Sequence, residues 1–231
     1  VAMDQWFAVQ NALRSWGVEV HMVSPRDGLP DMVFAANAGT AKGREVVLSN
    51  FKFPQRQRET EAFEKWFKEA GYNTHRLPKN TPFEGCGDTA LAGDKMFAGY
   101  GIRSSLGGIR RTAKILEVDL IPLKLNHPTF YHLDTCFCLL NEHCAFYYPG
   151  AFSPSAIQKL KKHIPDLIPL DVTDAAMFAC NSVVHEHRVL MPVGPQKIVE
   201  ELGVRGYEVT QVNTSEFLKS GGSIQCMTLW I

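Results

Sequence analysis

The sequence predicts an α/β fold in which a strand, loop, strand, strand, helix unit recurs and closes into a ring. Three observations carry this expectation. Short apolar runs of strand length alternate with helical faces along the whole chain. The order repeats without low-complexity linkers. The chemistry-bearing side chains fall at the same place in successive units. Residues 1–231 are expected to form a single domain.

Asp4 suits the N-cap of a helix with Trp6, Val9, Leu13 and Trp16 on one face, and Gly17 is placed to end it. Strands are expected at Val18 to Val23, Asp31 to Asn37 and Glu45 to Ser49, followed by a helix with Phe63, Trp66, Phe67 and Ala70 and a stop at Gly71. The second unit runs from Asn73 to Leu77 through strands near Thr89 to Ala92 and Lys95 to Ala98 to a helix with Leu106, Ile109 and Ala113. The third runs from Asp119 to Leu123 through Cys136 to Leu140 and Cys144 to Tyr148 to a helix with Ile157 and Leu160. The fourth runs from Asp166 to Leu170 through Ser182 to His185 and Arg188 to Met191 to a helix opened by Pro195. Tyr207 to Val212 begins a fifth unit, in which the glycines at 221 and 222 lead Cys226 into a buried strand. The helix at Asp4 can complete that unit if the chain closes on itself, with a strand upstream of Val1.

The chain carries 24 Lys and Arg against 24 Asp and Glu, with no basic run, so neither nucleic acid nor an anionic membrane surface is an expected partner. A small charged metabolite fits that balance, and a homo-oligomer stays open. There is no apolar run of membrane-spanning length and no signal-peptide pattern. The six cysteines lack the spacing of a secreted disulfide scaffold, so reduced thiols and a cytoplasmic location are expected.

Asp31, Glu84, His132 with Asp134, Asn181 and Cys226 all lie where a first strand hands over to a second. Around an axis, such loops face one another and their side chains surround one cavity. Each residue also has a plainer reading. Cys226 is a small buried hydrophobe or a nucleophile. His132 and Asp134, two apart, share one side of an extended segment, as a structural pair or as a proton shuttle with its carboxylate. Glu84 sits in a glycine-rich turn with Asp88, Asp31 is a turn residue or a site residue, and Asn37 before Ala38 and Gly39 ends a strand or is a site residue. Arg56 and Arg103, near helix entrances, are solvated or form a fork for a substrate carboxylate. Cys136, Cys138, His143 and Cys144 match no common zinc spacing and read better as core.

Leu29 to Gly39 (LPDMVFAANAG), Phe83 to Asp88 (FEGCGD), Tyr131 to Thr135 (YHLDT), Phe178 to Val183 (FACNSV) and Gly221 to Thr228 (GGSIQCMT) resemble, in this order, the motifs of the guanidine-modifying enzymes of the pentein or amidinotransferase fold. That family includes arginine deiminases, dimethylarginine dimethylaminohydrolases and arginine dihydrolases. The resemblance implies a five-bladed ring of ββαβ units around a polar channel. It implies Cys226 as nucleophile, His132 as general acid and base, and Glu84 as the carboxylate paired with histidine or guanidinium. It implies Asp31 and Asp134 as the acids that hold the substrate guanidinium, and Arg56 and Arg103 as carboxylate binders.

Such chemistry passes through a covalent thiouronium and needs no metal or organic cofactor. The substrate implied is arginine or a close guanidino compound. Asn37 stands where deiminases and dimethylarginine hydrolases usually place aspartate, in a context similar to the dihydrolases, so the expected products are ornithine, ammonia and carbon dioxide. Rival expectations are hydrolysis that stops at citrulline, amidino transfer to an amine, or a non-catalytic pentein interaction domain. Relatives of this kind usually carry a further N-terminal strand with an asparagine near the substrate.

Overall fold

Apolar and polar residues alternate in Gly39–Lys42 (β1), and Glu45–Leu48 (β2), buried from Val46 onward, pairs with it as an antiparallel hairpin with Thr40 opposite Val47. The computed structural model describes residues 1–231. Ahead of the hairpin lies helix Ala2–Ser15 (α1). After it the amphipathic helix Glu59–Glu69 (α2) buries Phe63 and Phe67 and returns the chain, so that Asn73–His75 (β3) lies parallel to β2. A parallel neighbour requires a crossover of this length, and the helix supplies it.

The same device recurs three times. Thr89–Ala92 (β4), Lys95–Tyr100 (β5), helix Leu106–Ile115 (α3) and Asp119–Lys124 (β6) make the second sheet. Phe137–Asn141 (β7), Cys144–Tyr147 (β8), helix Pro154–His163 (α4) and Asp166–Pro169 (β9) make the third. A short helix, Val172–Ala176 (α5), precedes Val183–His185 (β10), Arg188–Pro192 (β11), helix Lys197–Val204 (α6) and Glu208–Val212 (β12) of the fourth. A last turn of helix, Ser215–Leu218 (α7), follows. All four sheets are three-stranded and mixed, with the middle strand antiparallel to one neighbour and parallel to the other. Two-residue hairpin turns begin at positive φ, at Gly43 (59°), Gly93 (56°) and the non-glycine Glu186 (55°).

The largest core cluster lies between the second, third and fourth sheets and includes Phe97, Phe137, Phe146, Leu160 and Ile164. Cys136, Cys138 and Cys144 are packed in it, as expected of core thiols, Cys180 joins them, and all six cysteines are free. Val9 and Leu13 of α1 pack with Val183, Leu190, Ile224 and Met227, which joins the first helix to the fourth sheet and the C-terminal turn. Gln5 reinforces this join: its Nε2 donates to Ser215 Oγ at 2.9 Å and its Oε1 accepts from Glu216 N at 3.0 Å. No helix is long and apolar enough to cross a membrane.

Four expectations are corrected. Asp31 to Asn37 is not a strand but two successive 3-10 turns, Pro30–Val33 and Ala35–Ala38. Pro30 lacks an N–H, and Phe34 and Asn37 donate theirs locally to Asp31 O and Phe34 O, so the hairpin starts later, at Gly39. Val18 to Val23 runs without strand pairing, because no strand lies beside it. Cys226 does not enter a strand: Met227 N and Thr228 N donate back to Ser223 O and Gln225 O, which keeps the segment in a turn. The strands placed at the head of the second, third, fourth and fifth units are, by hydrogen bonding, the third strands of the preceding sheets.

Ser105 caps α3, its Oγ accepting from Gly108 N at 2.9 Å. Ser105→Ala is expected to lower the unfolding free energy by about 1 kcal/mol with an unchanged denaturant slope, measured by urea denaturation.

Candidate active site

Five turns, one from each successive unit, meet and are tied by hydrogen bonds into a circuit. Asn37 Nδ2 donates to Glu84 O (2.9 Å), joining the first to the second. Leu133 N donates to Asp88 Oδ1 (3.2 Å), joining the second to the third. Asn181 Nδ2 donates to Asp134 O (3.2 Å), joining the third to the fourth. Cys226 N donates to Asn181 Oδ1 (3.1 Å), and Ala36 N donates to Cys226 O (3.0 Å), which returns to the first. These groups are buried, so every bond left unmade would cost a desolvation penalty.

Two glycines make the close approach possible. A Cβ on Gly87 would stand 2.3 Å from Asn37 Nδ2 and 3.2 Å from His132 Nδ1, so those two side chains share the space that a larger residue would fill. A Cβ on Gly222 would stand 2.3 Å from the Phe34 ring, which packs the turn bearing Cys226 against the loop bearing Asp31 and Asn37.

At the centre, Cys226 Sγ lies 3.2 Å from Asp134 Oδ2 and 3.1 Å from Asn181 Nδ2, with the residue 4% exposed. Burial, and then the Asp134 carboxylate, push the thiol well above its ordinary value, while Ser223 and Asn181 pull the other way. Burial likewise raises Asp134 to about 6, and its other oxygen, Oδ1, is buried without a hydrogen-bond partner.

His132 Nε2 sits 2.8 Å from Glu84 Oε2, and both residues are buried. Burial alone would lower the imidazole, but the charges of Asp88, Glu84 and Asp134 win and raise it. Burial would raise Glu84, yet its bond to His132, the His132 charge and the Arg103 charge hold it below the carboxylate range. The pair therefore favours a charged imidazolium–carboxylate contact.

Arg103 donates from Nη1 to Glu84 Oε2 at 3.3 Å and lies between the rings of Phe53 and Tyr131, each 4.7 Å from its guanidinium. Arg56 is spent differently. Its Nε and Nη2 grip Glu59 at 2.9 and 2.8 Å, Nη1 donates to Asn37 Oδ1 at 2.8 Å, and Nη2 reaches Asp31 O at 3.1 Å. Asp31 thus joins the cluster through its backbone, with its side chain partly exposed. His132 is extended while Asp134 lies in a 3-10 turn, so the two side chains serve different partners rather than one face.

All eight candidate residues are thereby brought to one region. Sequence reading missed Glu59, although an Arg56-x-x-Glu59 spacing at a helix entrance is an ion-pair signal. It also missed Ser104, whose N–H holds Asp88 Oδ2 at 3.2 Å and whose Oγ accepts from Glu84 N at 3.0 Å. Asn181 was singled out by its place in the repeat but not as the residue that grips Cys226.

Residues 1–231 match the family model described as N,N dimethylarginine dimethylhydrolase, eukaryotic. The chain is 40% identical over 232 residues to the bifunctional arginine dihydrolase/ornithine cyclodeaminase AgrE of Nostoc sp., covering 99% of this chain and 33% of that protein. It is 36% identical over 233 residues to the N(G),N(G)-dimethylarginine dimethylaminohydrolase of Mycobacterium tuberculosis, covering 100% of this chain and 76% of that one. The chain therefore spans about one third of the length of its bifunctional relatives.

Among solved structures, the substrate-bound N-terminal domain of ArgZ, an arginine dihydrolase from the ornithine-ammonia cycle in cyanobacteria, superposes with a TM-score of 0.96 at 38% identity, covering 99% of this chain and 85% of that one. The citrulline complex of the enzyme DDAH from Pseudomonas aeruginosa, at 24% identity, shares the fold with a TM-score of 0.85, covering 98% and 86%.

Gly87→Ala is expected to displace Asn37 and His132 and to lower Tm by several degrees, read by calorimetry. Asp88, buried beneath His132's loop, is raised by burial to about 6 from 3.8. The native state then holds a proton that the unfolded chain has released, so this residue's contribution to stability falls as pH rises through that interval. Asp88→Asn should remove that part of the decline, seen by comparing urea midpoints of the two proteins at about pH 4 and about pH 7.

Proposed function

Because the chain belongs to the N,N-dimethylarginine dimethylhydrolase family, we propose that it hydrolyses the guanidino C–N bonds of arginine through Cys226, with residues 1–231 as one catalytic domain. The observation that carries this reading is Asp134: one carboxylate oxygen touches the thiol, and the other is buried with no partner. That is an acceptor set beside a nucleophile, suited to an N–H of a planar cation.

The chemistry follows from the groups at hand. Entry of the guanidinium onto Asp134, with Asp31 at the rim, brings positive charge to the sulfur and favours loss of the thiol proton to solvent. The thiolate attacks the central carbon, and the imidazolium of His132, held by Glu84, gives its proton to the departing nitrogen as ammonia. A thiouronium on Cys226 remains. His132, now neutral, takes a proton from water as the water's oxygen attacks that carbon, and the C–S bond breaks to give citrulline.

Arg103, with its guanidinium 4.7 Å from each of two aromatic rings, is the better placed of the two arginines to meet a substrate carboxylate. Arg56 acts chiefly by fixing Asn37 and the backbone of Asp31. Its assignment as a direct carboxylate binder is therefore weakened by its bonds to Glu59, Asn37 and Asp31.

We propose further that citrulline is attacked in turn, giving ornithine, a second ammonia and carbon dioxide. A ureido group is neutral, and the amide of Asn37 suits it better than a second carboxylate. The relatives named as arginine dihydrolases support this choice, while the dimethylaminohydrolase at 36% identity keeps hydrolysis to citrulline as the second reading.

The finer architecture proposed is a closed five-bladed pentein ring. An apolar groove of about 460 Å³, lined by Val18, Val20, Trp66, Met227 and Leu229 among others, lies between two unpaired segments. That is the position of a middle strand by analogy with the other four sheets.

Incubation with arginine, citrulline and dimethylarginine tests the assignment by product analysis. Ornithine with two equivalents of ammonia is the expected outcome from arginine, and citrulline as sole final product would reject the second hydrolysis. Asn37→Asp, which sets a carboxylate oxygen against Glu84 O, should leave citrulline to accumulate, with the second step slowed by about a hundredfold or more.

A further inference from the structure

Asn181 is fully buried, and its amide has only one chemically consistent orientation. Its Oδ1 accepts two backbone N–H groups, from Ser223 (3.1 Å) and Cys226 (3.1 Å). An amino group could not face two donors, so Nδ2 must point the other way. There it meets two acceptors, Asp134 O at 3.2 Å and Cys226 Sγ at 3.1 Å. All four hydrogen-bonding roles of one side chain are thus spent on the segment that carries the sulfur and on the residue that faces it.

We infer that Asn181 is a catalytic residue whose side-chain N–H is the fixed donor that stabilises Cys226 as thiolate. This rests on the covalent thiouronium reading and deepens it. The need for such a donor is set by what surrounds the sulfur. Asp134, from the turn Leu133–Thr135, places a carboxylate at 3.2 Å, and burial adds to its effect, so the anion is opposed on both counts. Tyr131 and His132 are the other titratable groups of that loop. The Tyr131 hydroxyl donates to Gly221 O at 2.6 Å, and His132 is bonded to Glu84. The turn Ala35–Ala38 bonds to Cys226 through Ala36 N and carries no titratable side chain, and α1 brings Val9 and Leu13 to this cluster. A neutral donor already aimed at the sulfur stabilises the charge without reorganising and without adding a charge of its own. The bond to Asp134 O has a second effect, since it locks the two loops that set the distance from sulfur to carboxylate.

The test separates donation from mere support by reading the thiolate directly. Alkylation of Cys226 by iodoacetamide is followed across pH in the wild type, Asn181→Ser and Asn181→Asp. Serine keeps an acceptor for the backbone but is too short to offer the sulfur an amide N–H, and aspartate replaces that N–H with a repelling oxygen. The expected result is a pH midpoint raised in both variants, more in Asn181→Asp, with alkylation slowed about tenfold or more at about pH 7 and recovering toward the wild-type plateau at high pH. On arginine, kcat falls while KM holds. Should one variant fail to fold, by its thermal transition, the other carries the comparison.

An Asn181→Ser midpoint equal to wild type, or a loss of rate that is the same at every pH, would overturn the inference. Because iodoacetamide needs no turnover, a wild type that alkylates normally but leaves arginine untouched would defeat the substrate assignment and leave the role of Asn181 standing.

Discussion

The buried hydrogen-bond circuit that joins five turns is the constraint on which the remainder of the site depends. Asn37, Asp88, Asn181 and Cys226 each span from one turn to the next, and each is nearly or wholly removed from water. In that setting an unmade bond is costly, so the polar side chains fix the relative positions of five turns, four of which lead into sheets. The sheets supply rigidity behind them, through hairpins whose register is set by two-residue turns.

The same burial shapes the electrostatics. A carboxylate enclosed with an imidazole, as Glu84 is with His132, is held ionised, whereas Asp88 and Asp134 are pushed up by enclosure. Arg103 and Arg56 supply positive charge on one side of this acid-rich cluster, but each is already bonded to protein. A cation brought to the unpartnered oxygen of Asp134 would relieve both that acid and the thiol beside it. The electrostatics of the cluster thus support the cationic substrate proposed above.

Much of this was legible in the chain. Helix faces show at Phe63 and Phe67 because their spacing is local, and the strands at Glu45 to Leu48, Thr89 to Ala92 and Lys95 to Ala98 show for the same reason. The repeat locates the five turns, so Glu84, His132, Asp134, Asn181 and Cys226 group together on sequence alone. What was hidden depends on distant partners. An apolar run such as Met32 to Ala36 looks like a strand until local carbonyls claim its N–H groups, and the segment after Cys226 is alike. Arg56 reads as a free fork from sequence, and only the fold brings Asn37 and Asp31 to it. The phase of the repeat was off by one element because parallel pairing across a helix leaves no local signal.

A covalent bond from Cys226 to the guanidino carbon can be trapped by chemical quench of the protein turning over arginine labelled at that carbon. Label is expected on the peptide containing Cys226 at early times, decaying as product forms, with none in Cys226→Ala. Product formation with no label on Cys226, or with label on another residue, would contradict it.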